Sequence, residues 1–373
     1  MQSEVTVLGL MSGSSLDGLD IAIGRFYTSD QNPSFHHFNW ELLDSQTVPL
    51  SGKWKALLQD LPNQSAYKLV ESDVLFGKWM GRQVNEFLSK TEYIPDLIVS
   101  HGHTVFHAPH KGFSTQIGCG ANLSAVTGIP VLNNLRMLDI AYGGQGAPLA
   151  PISDLWLFRD CDFFLNLGGI ANLSFLSENL VIGYDVVGAN QILNRLAQEI
   201  GQPYDKDGQV ASFGKMIPEL LDQANAIPYL SKGTPKSLGN DEVEHYWTQL
   251  FLNHPGLVED KLHTACIHIA QAIAQAIKPY ANRHKTYQLL PTGGGAFNTF
   301  LMQCINEALF HSAVKVEIKL PDARIIEYKE ALLMALMGFL KLKGLPNCLS
   351  QVTGAQIDCS GGTFHGDLAK WIR

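Results

Sequence analysis

Short apolar runs, each ending in a cluster of small or polar residues, recur along the chain. Val5-Thr6-Val7-Leu8 leads into Met11-Ser12-Gly13-Ser14-Ser15-Leu16-Asp17-Gly18. Leu97-Ile98-Val99-Ser100 leads into His101-Gly102-His103-Thr104. Phe163-Phe164-Leu165-Asn166-Leu167 leads into Gly168-Gly169, and Asn172-Leu173-Ser174-Phe175-Leu176 resumes the same character, which predicts a hairpin. Leu289-Leu290-Pro291-Thr292 leads into Gly293-Gly294-Gly295-Ala296-Phe297-Asn298 and then a helix. Further strands are predicted at 130–132, 180–184 and 314–320. Glycines placed directly after strands suggest turns where the backbone approaches a ligand.

Helical patterns lie between these runs. Ile269, Ile273, Ile277 and Tyr280 form an apolar stripe on one face and predict a helix over 262–283. Residues 330–342 are apolar almost all round and predict a buried helix. Helices are also expected at 186–200 and 213–225. Alternating strands and helices with early hairpins define an α/β protein with mixed sheets. At 373 residues the chain exceeds the roughly 250–300 at which one hydrophobic core stops growing. Two lobes are therefore expected, 1–140 and 141–373, with the last helix packing back on the first lobe.

Composition narrows the class. A hydrophobic share of 46% excludes a disordered chain, and 17% charged residues argue against a coiled coil. A net charge of −8 argues against nonspecific nucleic-acid or membrane-surface binding. No apolar run approaches the roughly 18 residues of a membrane span. Cysteines 119, 161, 266, 304, 348 and 359 are scattered without a C-x-x-C pair, the pattern of reduced thiols, so a cytoplasmic location is expected.

Candidate chemistry concentrates at the turns. Ser12, Gly13, Ser14 and Ser15 offer the small side chains, main-chain N–H groups and hydroxyls that cradle phosphate, and Asp17 suits a hydrated Mg²⁺. The plainer alternative is a hairpin with Asp17-Gly18 as a tight turn. No Gly-Lys-Ser/Thr ending is present, so this is not a Walker A loop. Gly168-Gly169 and residues 292–295 repeat the design, which points to a nucleotide held between two related lobes. Asp185 is read either as a helix N-cap or as a catalytic base. His101 and His103 form an H-x-H pair without an obvious third metal ligand, and substrate hydrogen bonding is the favoured role. Arg136 is read either as a fork for a substrate carboxylate or as the partner of Asp139. Glu330 is read either as a favourable charge at a helix start or as a catalytic group.

Together these residues resemble the bacterial 1,6-anhydro-N-acetylmuramic acid kinases, within the superfamily of sugar kinases, actin and heat-shock ATPases. The resemblance covers 9–20, 100–107, 115–118, 127–131, Arg136 with 139–141, 143–151, 166–172, Asp185 with Asn190, 205–208, 293–298, Glu330-Ala331 and 352–355. It implies an actin-like (ribonuclease H-like) ATPase fold, two lobes each with a mixed five-stranded sheet, and ATP in the interlobe cleft. It assigns Gly13, Ser14, Ser15, Leu16, Asp17, Gly18, Leu19 and Asp20 to the ATP phosphates, with Asp17 holding Mg²⁺ through water. Gly168 and Gly169 form the second phosphate turn, and Gly293, Gly294, Gly295 and Asn298 lie near the adenosine. His101, His103, Thr104, Arg136, Asp139 and Glu330 fall at substrate positions. Asp185 becomes the base for a water that attacks C1 and opens the 1,6-bridge, after which O6 takes the γ-phosphoryl group. A homodimer is also implied.

The family pattern carries Gln at His103, Asp at Cys119, Asp at Asn134, Thr at Ser14 and Asp-Thr-Gly-Pro-Gly-Asn over 185–190. The Gly-Arg-Glu that follows its Lys-Ser pair is here Gly239-Asn240-Asp241, after Lys236-Ser237. Two alternatives remain: a kinase for a different small sugar or anhydrosugar, and a non-catalytic nucleotide-binding actin-like module.

Overall fold

The structure, a computed structural model, describes residues 4–13, 16–28, 38–177, 180–234, 236–312 and 314–368. The chain divides into two compact units, Met1–Leu157 with Tyr328–Arg373, and Phe158–Glu327. The boundary expected at 140 thus moves to 157, and the chain from 328 onward joins the first unit. The reason is packing: Gly9 lies so close to the helix Ala323–Leu342 that a Cβ would come within 1.8 Å of the Ala331 carbonyl oxygen. On the same helix a Cβ at Gly338 would meet Val99 Cγ2 at 2.2 Å. The helix starts two turns earlier than predicted, and its fully buried stretch begins at Ala331.

The first unit is built on a seven-stranded sheet, two strands more than expected. Its strands are β1 (Glu4–Ser12), β2 (Gly18–Tyr27), β3 (Asn39–Pro49), β4 (Leu97–Ala108), β5 (Phe113–Ile117), β6 (Val131–Asn133) and β12 (Thr363–His365). The order is β12-β6-β4-β1-β2-β3, with β5 paired to β4. β1 and β2, and β2 and β3, pair antiparallel. β4 runs parallel to both β1 and β6. Leu8, Leu10, Ile21 and Ile23 from the sheet pack with Phe76 and Met80 from the helix Ala66–Leu88. Each such side chain contributes about 1.5–3 kcal/mol on burial.

The second unit holds a five-stranded sheet of β7 (Phe163–Leu167), β8 (Ile170–Ser177), β9 (Leu180–Gly188), β10 (Thr286–Thr292) and β11 (Lys315–Ile318). Its order is β11-β10-β7-β8-β9, with β7-β8 and β8-β9 antiparallel and β7-β10 and β10-β11 parallel. That is the same path as β6-β4-β1-β2-β3, so the first unit carries the expected five-stranded motif with β5 and β12 added at its margins. The predicted stripe is realised in the helix Val258–Ile277, where Ile269, Ile273 and Ile277 are fully buried against β7 and its neighbours.

Two helix expectations change. Residues 186–188 stay in β9, paired with β8, and the helix begins only at Asn190 (Asn190–Gln198). Residues 213–225 resolve into Gln209–Phe213 and Pro218–Asn225, separated where Gly214 presses on Glu259. No described helix is long and apolar enough to cross a membrane.

Candidate active site

In the first unit, β1 and β2 are joined by a short turn. The Leu16 amide donates to the Gly13 carbonyl at 3.3 Å, and Leu16 sits at φ 59, in the left-handed region. Ser14 and Ser15 lie outside the described residues. Leu16 and Leu19 are buried in the apolar core, so only their main chains are available to a ligand. Asp17 is exposed, and among the described residues it forms no ion pair. Gly18 begins β2 where a Cβ would meet Thr47 Cγ2 at 2.7 Å. Asp20 accepts a 2.6 Å hydrogen bond from Thr47 Oγ1. Burial raises the Asp20 pKa; Thr47 opposes that shift and Asp17 adds to it.

Beside β1 runs β4, with Ser12 opposite His103. Gly102 takes φ +75, and a Cβ there would come within 2.4 Å of the Ile117 carbonyl oxygen. The left-handed residue breaks the simple alternation that would put both histidines on one face. The His103 Nδ1 lies 3.4 Å from Ser12 Oγ. The His101 ring is fixed on both sides: Nε2 lies 2.9 Å from Arg136 Nε, and Nδ1 lies 3.0 Å from the Gly102 carbonyl. A guanidinium only donates, so Nε2 carries the lone pair and Nδ1 carries the proton. Burial pushes the His101 pKa down to about 4, and the Arg136 charge pushes it the same way. His101 is therefore a neutral imidazole of one tautomer at neutral pH.

Arg136 also donates through Nη1 to the Gly146 carbonyl at 2.5 Å. Its partner is thus not Asp139. The Asp139 carboxylate is fully enclosed: Oδ2 accepts from the Gly146 amide at 2.7 Å and Oδ1 from Thr353 Oγ1 at 2.6 Å. Both Asp139 oxygens are engaged within the fold and neither reaches solvent. Its work is to hold the loop that holds Arg136. Glu330 remains open to solvent; its pKa is raised by partial burial and then by Asp20, while Arg136 draws it down. The Thr104 hydroxyl accepts from Gln116 Nε2 at 3.3 Å. The structure therefore brings His101, His103, Arg136, Asp20 and Glu330 into one electrostatic neighbourhood.

The H-x-H pair belongs to no metal-ligand cluster among the described residues. The one cluster found there is Asp139, Cys348 and Cys359, whose carboxylate accepts from the Gly146 amide and Thr353 Oγ1. Cys119, Cys266, Cys304, Cys348 and Cys359 are free thiols.

In the second unit three segments meet at the end of β7. The Gly168 carbonyl accepts from the Asn190 amide at 3.1 Å, and the Gly169 carbonyl accepts from Ala189 at 2.8 Å and Gln191 at 3.1 Å. Asn190 Nδ2 donates to the Leu167 carbonyl at 3.0 Å. Gly293, at φ +80, lies where a Cβ would come within 2.5 Å of Asn166 Oδ1, and one at Gly295 would meet Leu167 Cβ at 2.7 Å. Gly169 and Gly294 are exposed, which leaves their main chains open to a ligand. Asn298 caps the helix Thr299–His311, with Oδ1 accepting from the Leu301 amide at 2.9 Å.

Asp185 is not a helix N-cap. It lies within β9, opposite Asn172, and Ala189 occupies the cap of the next helix. A bulge between Ala171 and Asn172 leaves Val186 as the extra residue beside it. Bulges of this kind re-aim neighbouring side chains. The half-buried Asp185 carboxylate accepts at Oδ2 from the Leu238 amide at 2.9 Å. Sequence reasoning missed Thr353, Gly146 and Leu238 as supports; each acts through a contact distant along the chain, and Gly146 and Leu238 act through the backbone.

A five-strand path present in both units, with a glycine turn at the first hairpin of each, places the protein among actin-like α/β proteins. The sequence signature of the anhydro-N-acetylmuramic acid kinases matches residues 5–366. The anhydro-N-acetylmuramic acid kinase of Colwellia psychrerythraea is 31% identical, over 95% of this chain and 96% of its own. That of Shewanella sp. strain ANA-3 is 33% identical, over 96% and 98%. The chain belongs to the anhydro-N-acetylmuramic acid kinase family. Among solved structures, the ADPNP-bound activator of 2-hydroxyisocaproyl-CoA dehydratase from Clostridium difficile is similar at 13% identity, over 91% of this chain and 96% of that one, with a TM-score of 0.42.

Proposed function

We propose that the chain is an ATP-dependent kinase that opens 1,6-anhydro-N-acetylmuramic acid with water and phosphorylates O6. The product is N-acetylmuramic acid 6-phosphate, for cell-wall recycling. The observation that carries the mechanism is the Asp185 carboxylate, half-buried on a strand, with Oδ2 fixed by a backbone amide. Hydrolysis of an anhydro bridge needs a base for water at the anomeric carbon, as in an inverting glycosidase. Asp185 accepts that proton, and the departing O6 is captured by the γ-phosphoryl group instead of by an acid.

Phosphoryl transfer is governed by positioning and charge neutralisation. The main chain at Gly13 and 16–18 in the first unit, and at Gly168 and Gly169 in the second, is suited to phosphate oxygens. The turn at Gly293, Gly294 and Gly295 serves the adenosine. The exposed Asp17 carboxylate fits a hydrated Mg²⁺, a cation that keeps most of its waters and takes few carboxylates. When bound, Mg²⁺ supplies charge neutralisation at the phosphates. Arg136, with Nε and Nη1 engaged internally, offers Nη2 to the sugar's carboxylate, while His103 and Glu330 serve its hydroxyls. The acting species is a cytoplasmic homodimer in this reading.

Consumption of MgATP should depend on added 1,6-anhydro-N-acetylmuramic acid. In the same preparation, MgATP at 100 times its Kd should stabilise the fold by about 2.7 kcal/mol, and Asp17→Ala should weaken that shift. ATP consumption independent of the sugar, or no thermal shift at millimolar MgATP, would overturn the reading.

A further inference from the structure

Asp185 lies on the edge strand of its sheet. Among the described residues β9 pairs only with β8, and the backbone of Asp185 finds other partners on its free side. Tyr229, Lys236 and Leu238 hold the residue with three hydrogen bonds. Tyr229 Oη donates to the Asp185 carbonyl at 2.7 Å. The Asp185 amide donates to the Lys236 carbonyl at 3.3 Å. The Leu238 amide donates to Asp185 Oδ2 at 2.9 Å. Asp185 Oδ1 takes no hydrogen bond among the described residues.

One side chain ties this stretch back on itself. Lys236 Nζ donates back to the Tyr229 carbonyl at 3.1 Å and to the Leu230 carbonyl at 3.2 Å. It also sits 4.6 Å from the Tyr229 ring centroid and 5.7 Å from that of Tyr184, a range in which a cation is attracted to an aromatic face. Tyr229 is itself rooted in the core, edge-on to the fully buried Trp247 at 6.0 Å. Leu230, Ser231, Lys232, Thr234 and Lys236 itself line an open cavity of about 970 Å³, together with Tyr184. Tyr229 and Leu238 are anchored in the hydrophobic core and Leu230 packs against it. Between these anchors the Lys236 ammonium ties the chain back onto the Tyr229 and Leu230 carbonyls.

We infer that Lys236 is a positioning residue for Asp185: by clasping Tyr229 and Leu230 it holds Oδ2 on the Leu238 amide and turns Oδ1 toward the proton it receives. The inference rests on Asp185 being the base. A misplacement of about 1 Å in such a group costs on the order of 10²-fold in rate, so the clasp has kinetic consequences far from the ligand-binding turns.

The test is a set of full-length variants assayed with MgATP and 1,6-anhydro-N-acetylmuramic acid. Lys236→Met keeps the apolar stem and removes the ammonium; its kcat should fall roughly 10- to 100-fold, with KM for both substrates little changed. Lys236→Arg should restore most of the loss. Placed in an Asp185→Asn background, Lys236→Met should cost nothing further, because it acts through the carboxylate. Tyr229→Phe removes only the hydroxyl bonded to Asp185 and should lower kcat in the same way; it serves as the reporter if Lys236→Met does not fold. Wild-type kcat in both single variants, or a Lys236→Met loss that persists undiminished in Asp185→Asn, would overturn the inference while leaving the base intact. Wild-type turnover in Asp185→Asn alone would instead remove the base reading and this inference with it.

Discussion

The two units share one five-strand path yet hold their reactive groups in opposite ways. In the first, the half-buried Arg136 belongs to a chain of contacts running from His101 through Arg136 and the Gly146 loop to the fully buried Asp139 and Thr353, joining residues more than two hundred positions apart. In the second, Asp185 is half-exposed on an edge strand and is held by one segment within about fifty residues of it. A group inside a buried network is bound up with stability, since each partner it leaves behind is stranded without solvent. A group on a supported edge can lose its chemistry and leave the fold intact. Residues serving one reaction therefore differ in what their removal costs.

The largest expected effect lies on the edge side. Asp185→Asn preserves shape and an oxygen for the Leu238 amide but removes the proton acceptor. Its kcat should fall by about 10²–10⁴-fold, the range for general-base catalysis, with an unchanged melting temperature and unchanged ATP binding. A large fall in melting temperature would erase the contrast between the units.

Arg136→Ala should show the opposite pattern. It strands the His101 lone pair and the Gly146 carbonyl, so the melting temperature should drop along with function. A charged hydrogen bond is worth roughly 1.5–3 kcal/mol, which raises KM for the acidic sugar roughly 10- to 100-fold and far more than KM for ATP. Equal effects on both substrates would reduce Arg136 to a structural residue.

The smallest effect is a pH dependence of stability that both units share. Burial holds His101 at about 4 and His268, fully enclosed in the second unit, at about 3. Both folded values lie below the unfolded value near 6.5, so the unfolded chain binds more protons as pH falls. Their contribution is complete above about pH 6.5 and is lost as pH falls toward 4 and 3. Between pH 6 and 5 each histidine should cost up to about 1.4 kcal/mol per pH unit. Replacing His268 with Gln, which still donates to Asn225, should make that slope shallower by the His268 share, up to about 1.4 kcal/mol per pH unit, when denaturant unfolding is measured across the window. An unchanged slope would mean that His268 is not the neutral, dry group the structure shows.

The turns were legible in the sequence because a glycine cluster directly after an apolar run fits little besides a turn. Gly168-Gly169 and Gly293 fall where the pattern puts them, and Gly293 adopts the positive φ that makes glycine necessary. Asp185 was harder to place. Val186-Val187-Gly188 reads equally well as the first turn of a helix or the end of a strand, and pairing with β8 decides for the strand. β3 escaped notice because its eleven residues are mostly half-exposed and carry no clean alternation. The family pattern marks Lys236-Ser237 but not what the pair does: a main-chain amide from Leu238 and a lysine folded onto carbonyls depend on tertiary placement, not on local pattern. The hydrogen bonds of Asp139 to Gly146 and Thr353 were hidden for the same reason, since a carboxylate near a glycine loop looks alike in sequence whether it faces a ligand or the loop itself.

The most direct test of the central claim is the mass of the product formed from 1,6-anhydro-N-acetylmuramic acid and MgATP. The account predicts a sugar heavier than the substrate by one phosphoryl group and one water, formed by the wild-type protein and nearly absent with Asp185→Asn. A phosphorylated sugar without the added water, or equal formation of the hydrated product by Asp185→Asn, would contradict it.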